Sequence, residues 1–191
     1  MSKRIIDLIL CLITGLLLLP LCIIIVIAIK VADGGGIIYQ GQRLGRHGKN
    51  FFMLKFRTMK SNERLPQKEA EDFNHNFKLI DDPRITRTGK WLRQYSLDEI
   101  PQLINVLKGD MAMIGPRPKL PEEVYLYKSE QEELLSVLPG ITGYWQVFRK
   151  NASSDEVMRC MDLFYIRNRN ILLDLKILLL TPGIMLRKKN Y

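Results

Sequence analysis

The pattern of hydrophobic and polar positions divides the chain into an apolar N-terminus and a mixed remainder. From Leu8 to Ile29 no residue carries a charge, and most side chains are aliphatic. A run of this length is sufficient for a helix to cross a bilayer, which takes about 20 residues. A signal peptide fits less well, because the run is too long and no small-residue cleavage motif follows it. The pattern therefore predicts a membrane anchor in residues 1–32 and a separate domain in residues 33–191.

The topology of this anchor is open to two interpretations. Both flanks are basic, with Lys3 and Arg4 before the apolar run and Lys30 after it, and positive charge favours the cytoplasmic side. Pro20 lies near the middle, where it removes a backbone donor and kinks or breaks a helix. Both features fit a re-entrant helix that enters and leaves by the same face of the membrane. The alternative is an ordinary spanning helix with a tolerated kink.

The segment after the anchor alternates as a strand does. The apolar residues Phe52, Leu54 and Phe56 occupy every second position, which is the period of an extended chain. This alternation places Lys55 and Arg57 together on the opposite face. We expect a small β-hairpin here, after the glycine-rich break that follows the anchor.

The rest of the domain has mostly helical patterns. Residues 61–80 are polar and predict a helix or a mobile loop, and a turn with two glycines is expected at 139–143. The apolar tail from residue 170 is interrupted by charges and a proline, so it predicts an interfacial helix or, equally, a core helix. Further helices are expected over residues 84–93, 122–137 and 155–168.

Charge and cysteine content narrow the possible partners. The chain has 29 Lys and Arg against 20 Asp and Glu, a formal charge of +9. Such an excess favours a polyanionic partner, which is a nucleic acid, an anionic membrane or a phosphorylated substrate, unless it only solvates the surface. The three cysteines form no CxxC or Cys/His spacing. A disulfide framework or a zinc site is therefore not expected, and a reducing compartment is the simpler interpretation.

An acidic pair, Asp98 and Glu99, stands out in this basic chain. Ser96 and Glu99 have the spacing of a capping box, which would make the pair an ordinary helix start. Pro101 argues against that interpretation, because a helix capped at Ser96 needs a backbone N–H at residue 101. The helix is therefore expected to begin at Pro101, which leaves the two carboxylates at a constrained junction just before it.

The surroundings of the pair suit phosphoryl chemistry. Carboxylates can act as nucleophiles toward phosphoryl groups, but an anion that attacks an anion needs a cation, and Mg²⁺ held by carboxylates and phosphate oxygens meets that need. Arg117 lies between two prolines. A guanidinium with so little backbone freedom is well suited to bind phosphate through paired hydrogen bonds. Helix capping remains the alternative at this point.

Four motifs resemble the bacterial sugar transferase family, the monotopic phosphoglycosyl transferases. They are KFRTM at 55–59, DPRITRTGKWLR at 82–93, SLDEIPQLINVLKGDMAMIGPRP at 96–118 and PGITGYWQV at 139–147. With the apolar N-terminus and the DLKILLLT segment, the resemblance covers nearly the whole chain. The single hydrophobic segment before the domain is similar to the small form of the family.

Pattern and resemblance together predict an α+β fold. An N-terminal re-entrant membrane helix, broken at Pro20, is expected to precede a compact, mostly helical cytoplasmic domain. That domain would contain a small β-hairpin or sheet and interfacial amphipathic helices. The resemblance places the protein at the cytoplasmic face of the bacterial inner membrane, as a monotopic protein.

The resemblance also implies a reaction. Sugar-1-phosphate would move from a UDP-sugar to polyprenol (undecaprenyl) phosphate, giving polyprenyl diphosphate sugar and UMP and initiating glycoconjugate assembly. The implied partners are these two substrates, inner-membrane lipid and downstream glycosyltransferases, with no nucleic acid. A different class of function also fits the charge and the anchor: a membrane-tethered protein that binds nucleic acid or anionic lipid without catalysis.

Site residues follow from the resemblance position by position. Asp98 would be the nucleophile that forms a covalent aspartyl phosphosugar intermediate in a ping-pong mechanism. Glu99 would complete the dyad, and both carboxylates would hold Mg²⁺. The positions expected to bind substrate or phosphate are Lys55, Arg93, Arg117, Gln146, Arg149 and Lys150.

The chain departs from the family pattern at two places. Many members have Ser before the helix-breaking proline, and this chain has Leu19, so the break is expected to be shallower. Where members often show Asn-Gly-Arg, this chain has Phe148-Arg149-Lys150. Lysine keeps the charge of the family arginine but lacks its planar fork, which leaves Arg149 as an alternative for that role.

Overall fold

The computed structural model describes residues 3–60, 82–149 and 154–185, so the expected helix or loop at 61–80 lies outside them. Short 3-10 turns occur at Arg46–Gly48, Leu97–Glu99 and Tyr125–Glu130. The strands are β1 (Ile38–Leu44), β2 (Asn50–Phe56), β3 (Ala112–Ile114) and β4 (Gly140–Thr142). The helices are α1 (Lys3–Asp33), α2 (Arg87–Gln94), α3 (Gln102–Lys108), α4 (Pro121–Val124), α5 (Gln131–Leu134), α6 (Tyr144–Phe148), α7 (Asp155–Asn168) and α8 (Ile171–Met185).

The N-terminal apolar run forms one helix, α1, which is long and apolar enough to cross a membrane. Pro20 lies inside this helix. The expected division into two helices at Pro20 is therefore not confirmed, because helical backbone continues on both sides of the proline. A proline removes a single hydrogen bond from the ladder, and a helix of 31 residues keeps the bonds of the flanking turns.

One face of α1 packs on the rest of the protein. Asp7, Cys11, Ile25 and Ile29 are buried and recur at helical spacing, and α1 contacts α2, α3 and β3. The opposite face is exposed and aliphatic; Leu16, for example, is 74% exposed. Such a surface needs an apolar environment, which is compatible with a membrane anchor.

Strands β1 and β2 form the expected antiparallel hairpin, but burial does not follow the predicted apolar face of β2. Phe51, Met53 and Phe56 are all buried, whereas Phe52 is 60% exposed. Apolar side chains from both faces of the strand are therefore covered. Lys55 lies on the same face as the buried residues Phe51 and Met53.

The second sheet pairs β3 and β4 in parallel. The turn expected at 139–143 was therefore only partly correct, since residues 140–142 form a strand. Position 140 requires glycine, because a Cβ there would lie 2.0 Å from the backbone nitrogen of Gly115. A strand of three residues is too short to show a periodic pattern.

The C-terminal helices agree better with the sequence. Helix α7 has the expected bounds, whereas the helix expected at 122–137 is divided into α4, a 3-10 turn and α5. Helix α8 buries Ile177 but exposes most of its other apolar residues, among them Leu172 at 78% and Leu179 at 72%. This exposure favours the interfacial interpretation of the tail over the core interpretation.

Candidate functional site

The acidic pair lies on a 3-10 turn between α2 and α3. Ser96 enters this turn with φ 56°, a left-handed backbone conformation that is uncommon for a residue other than glycine. Its side chain makes no capping hydrogen bond, and α3 begins directly after Pro101. The expected helix start is confirmed and the capping box is absent. Backbone strain of this kind is often found at functional sites.

Lys55 of β2 bridges the two carboxylates. Its Nζ lies 2.8 Å from Oε1 of Glu99 and 3.6 Å from Oδ2 of Asp98. Asp98 is buried, at 7% exposure. Burial disfavours the charged form of Lys55, but the carboxylates of Glu99 and Asp98 outweigh that effect and raise the pKa of Lys55. The pair is therefore held beside a lysine that stays protonated at neutral pH.

Asn105 explains how β2 is held against the acidic turn. This residue of α3 is 1% exposed. Its Oδ1 accepts from the backbone N–H of Leu54 at 3.0 Å, and its Nδ2 donates to the carbonyl of Phe52 at 2.8 Å. The amide thus fixes the strand that carries Lys55 to the helix that follows Asp98. In the sequence, this role of Asn105 is indicated only by the presence of a polar residue among the apolar residues of α3.

Helix α2 approaches the same strand end through Gly89. A Cβ at Gly89 would lie 2.1 Å from the backbone oxygen of Thr58, so only glycine allows this contact. Thr86 caps the helix by accepting the Gly89 N–H at 2.9 Å. Arg93, one turn before the acidic pair, donates from Nε to the Thr58 hydroxyl at 2.8 Å. The close backbone contact therefore sets the position of Arg93.

Arg117 adds a further positive charge to this region. Its charge opposes the protonated form of Lys55, and it also helps burial to lower the pKa of Arg43. The charge of Arg117 therefore acts on two other cations, Lys55 on one hand and Arg43 on the other. Cations that lie close enough to repel one another are a common feature of anion-binding sites.

A buried cluster supports the segment that carries Arg117. Lys119 Nζ lies 3.0 Å from Oδ2 of Asp162, and their side chains are only 3% and 1% exposed. The Tyr127 hydroxyl donates to the same oxygen at 2.7 Å. Burial and then the charge of Asp162 raise the pKa of Tyr127. Sequence reasoning missed this cluster, because its members are far apart in the chain and match no short motif.

Gln146 and Arg149 belong to a neighbouring part of the fold. Both are on or next to α6, which packs against α7 and α8. The Arg149 guanidinium lies 4.7 Å from the Trp145 ring centroid, and Oε1 of Gln146 is buried without a hydrogen-bond partner among the described residues. The ion pairs described above join Lys55 to the acidic pair. Lys150 lies outside the described residues.

The acidic pair fits part of a magnesium site. Within residues 3–60, 82–149 and 154–185, no group of three or more His, Cys, Asp or Glu has a metal-binding arrangement. Asp98 and Glu99 nevertheless offer the oxygen donors that Mg²⁺ prefers, and this ion is often bound by one or two carboxylates together with substrate phosphates. The donor set is adequate only if phosphate and water complete the coordination.

The chain belongs to the bacterial sugar transferase family, whose profile matches residues 1–188. It is 38% identical to the exopolysaccharide production protein ExoY of Sinorhizobium fredii, over the whole chain and 88% of that protein. It is 42% identical to the undecaprenyl-phosphate galactose phosphotransferase of Salmonella typhimurium, over 82% of the chain and 34% of that protein. A UDP-galactose-lipid carrier transferase of Erwinia amylovora is 38% identical over 97% of the chain and 40% of its own length.

Proposed function

We propose that the protein transfers sugar-1-phosphate from a UDP-sugar to polyprenol phosphate, with Asp98 as the nucleophile. The observation that carries this proposal is the buried Asp98 carboxylate beside protonated Lys55, with Arg117 acting on the same lysine. Membership of a sugar transferase family and relatives named for undecaprenyl-phosphate sugar transfer support it. An exposed apolar anchor supports an acceptor that resides in the membrane.

The proposed reaction has two displacements at phosphorus. An Oδ of Asp98 attacks the phosphorus that bears the sugar, the bond to the uridine phosphate breaks, and UMP leaves with that electron pair. A phosphate oxygen of the polyprenol phosphate then attacks the aspartyl phosphate, and the carboxylate of Asp98 is released. Both attacking oxygens are already anionic, so neither step needs a general base.

The neighbouring residues would control charge and position. Lys55 orients both carboxylates through its contacts at 3.6 and 2.8 Å, and it offsets negative charge as the diphosphate approaches. Arg93 and Arg117 would bind phosphate oxygens. Asp98 and Glu99 would hold Mg²⁺, which when bound would neutralise charge on the phosphates. Gln146, Arg149 and Lys150 are proposed to bind the nucleotide or phosphate from the side of α6.

The proposed location is the cytoplasmic face of the inner membrane, with α1 re-entrant and the product passed to downstream glycosyltransferases. A Ser2→Cys variant with Cys160→Ser, in intact spheroplasts, tests the topology. The re-entrant form predicts no reaction at position 2 with an impermeant thiol reagent. Labelling comparable to that in lysed cells would show a spanning helix instead.

Turnover assays test the reaction. The full chain in detergent should release UMP from one or more members of a UDP-sugar panel when polyprenol phosphate is present. Asp98→Asn should abolish release, and Glu132→Gln, which removes an exposed carboxylate remote from the pair, should not. Full activity of Asp98→Asn would refute the assignment. Salt-sensitive nucleic-acid binding without turnover would favour the non-catalytic alternative.

A further inference from the structure

A cavity with charged and apolar lining residues lies at the opposite end of α3 from the acidic pair. It has a volume of about 230 Å³, and Lys3, Arg4, Asp7, Arg46, Tyr165 and Arg169 line it. Arg4 also donates through Nη2 to the carbonyl of Leu107, at the C-terminal end of α3, at 3.1 Å. The acidic pair precedes the N-terminal end of the same helix. The cavity is therefore separate from the site proposed for catalysis.

The charge of this cavity is strongly positive. Four lining side chains are cationic and one, Asp7, is anionic. Asp7 already accepts the Met113 N–H at 3.1 Å, and Lys3 forms an ion pair with Asp174. When the negative charges of Asp7 and Asp174 are subtracted from the four cationic side chains, a net charge of +2 remains. Nη1 of Arg4 is buried and has no hydrogen-bond partner among the described residues, which is costly unless a ligand supplies an acceptor.

The cavity also lies where two lipid-compatible helices begin. The Lys3–Asp174 ion pair joins the first turn of α1 to the first turn of α8. Both helices expose long aliphatic side chains, including Leu17 at 74% and Leu172 at 78%. Basic residues at the starts of such helices lie at the level of lipid headgroups. In a bilayer that covers these exposed apolar faces, the positive charge would lie at the depth of lipid phosphate.

We propose that this cavity binds the phosphate group of a membrane lipid. Guanidinium groups match phosphate oxygens through paired hydrogen bonds. Three arginines line this cavity, and Nη1 of Arg4 has no partner within the described part of the chain. Two lipids carry this chemistry: a resident anionic phospholipid and a polyprenol phosphate. The inference rests on the cavity and on the exposed apolar faces of α1 and α8, and it holds whether or not Asp98 is the nucleophile.

Native mass spectrometry of the full chain, delipidated in a nonionic detergent, tests this proposal. The probes are phosphatidylglycerol, polyprenol phosphate and diacylglycerol, which lacks phosphate. Arg46→Gln with Arg169→Gln removes two cavity charges and leaves the packing of α1 untouched, because both side chains are exposed. Lys49→Gln with Arg87→Gln removes the same charge from exposed positions outside the cavity lining and away from the ends of α1.

The cavity variant should bind phosphate-bearing lipid about thirtyfold more weakly, roughly fivefold for each charge removed. The control variant should retain affinity within about twofold. If the cavity variant binds only polyprenol phosphate more weakly, the cavity is an acceptor site. If it also binds phosphatidylglycerol more weakly, the cavity holds a resident phospholipid. The proposal fails if diacylglycerol binds equally well, or if the cavity variant loses no more affinity than the control.

Discussion

The buried ion pair between Lys119 and Asp162 gives the sharpest prediction about stability. Asp162→Asn removes the anion but keeps the shape of the side chain and an oxygen that the Tyr127 hydroxyl can reach. The Lys119 ammonium, with a side chain only 3% exposed, is then left without the carboxylate that lies 3.0 Å away in the native protein. A buried charge that loses its partner is strongly destabilising.

The expected loss of stability follows from the burial of this ion pair. Removing one partner of a buried pair costs about 3–5 kcal/mol of unfolding free energy. In a chain of this length each kcal/mol lowers the Tm by about 2–4 °C, so the Tm should fall by roughly 6–20 °C. The loss should be partly reversed by adding Lys119→Met, because the second change removes the stranded charge and keeps an apolar side chain of similar length.

Thermal unfolding in detergent, followed by circular dichroism, measures these changes. Glu133→Gln is the matched control, because it breaks a 2.7 Å ion pair with Arg167 that lies at the surface and should change the Tm little. The reasoning would be refuted if Asp162→Asn melted within about 2 °C of the native protein. It would also be refuted if the double variant were less stable than Asp162→Asn alone.

Three further changes test the contacts that assemble the candidate site. Gly89→Ala would place a Cβ 2.1 Å from the backbone oxygen of Thr58, so it should lower both the Tm and the turnover rate. A Cβ at Gly183 would have no atom within 4 Å, so Gly183→Ala should change neither. Equal effects of the two substitutions would contradict the close contact at Gly89. Asn105→Ala removes the side-chain partner of two backbone groups of β2, so it should lower the free energy of unfolding, measured by thermal unfolding, by about 2–4 kcal/mol. A loss below about 0.5 kcal/mol would contradict the role of Asn105 in holding β2 to α3. Because the pKa of Lys55 is raised above 10.5, its ion pairs should contribute fully below that pH and be lost above it. The Tm difference between the native protein and Lys55→Met should therefore be constant from pH 7 to 9 and shrink near pH 11; a difference that disappears below pH 9 would argue against the raised pKa.

The acidic turn was predictable because its residues act locally. Pro101 cannot donate the hydrogen bond that a helix capped at Ser96 requires, and the structure accordingly begins α3 after Pro101. Helix α7 was predictable for a similar reason, since Ser154 caps its first turn and accepts the Val157 N–H at 3.3 Å. Signals of this kind depend on only a few neighbouring residues.

Features that depend on distant residues were not predictable. The alternation along β2 predicts that Phe52, Leu54 and Phe56 share one face, but it does not reveal that Phe51 and Met53 on the face of Lys55 are buried as well. Strand β4 exists because Gly140 can approach Gly115 closely. The continuity of α1 through Pro20 was also not predicted, because the local preference of proline favours a break in the helix.

The central claim, that Asp98 carries the sugar phosphate covalently, is tested most directly by a single-turnover measurement without acceptor. Full-length protein at high concentration is mixed with the UDP-sugar that supports turnover, and UMP release is followed in the absence of polyprenol phosphate. The account predicts a burst of about one UMP per active protein, with a phosphosugar adduct at Asp98 in peptide mass spectra and neither signal in Asp98→Asn. An active enzyme that releases UMP only after the acceptor is added would contradict it and would indicate direct attack by the lipid phosphate.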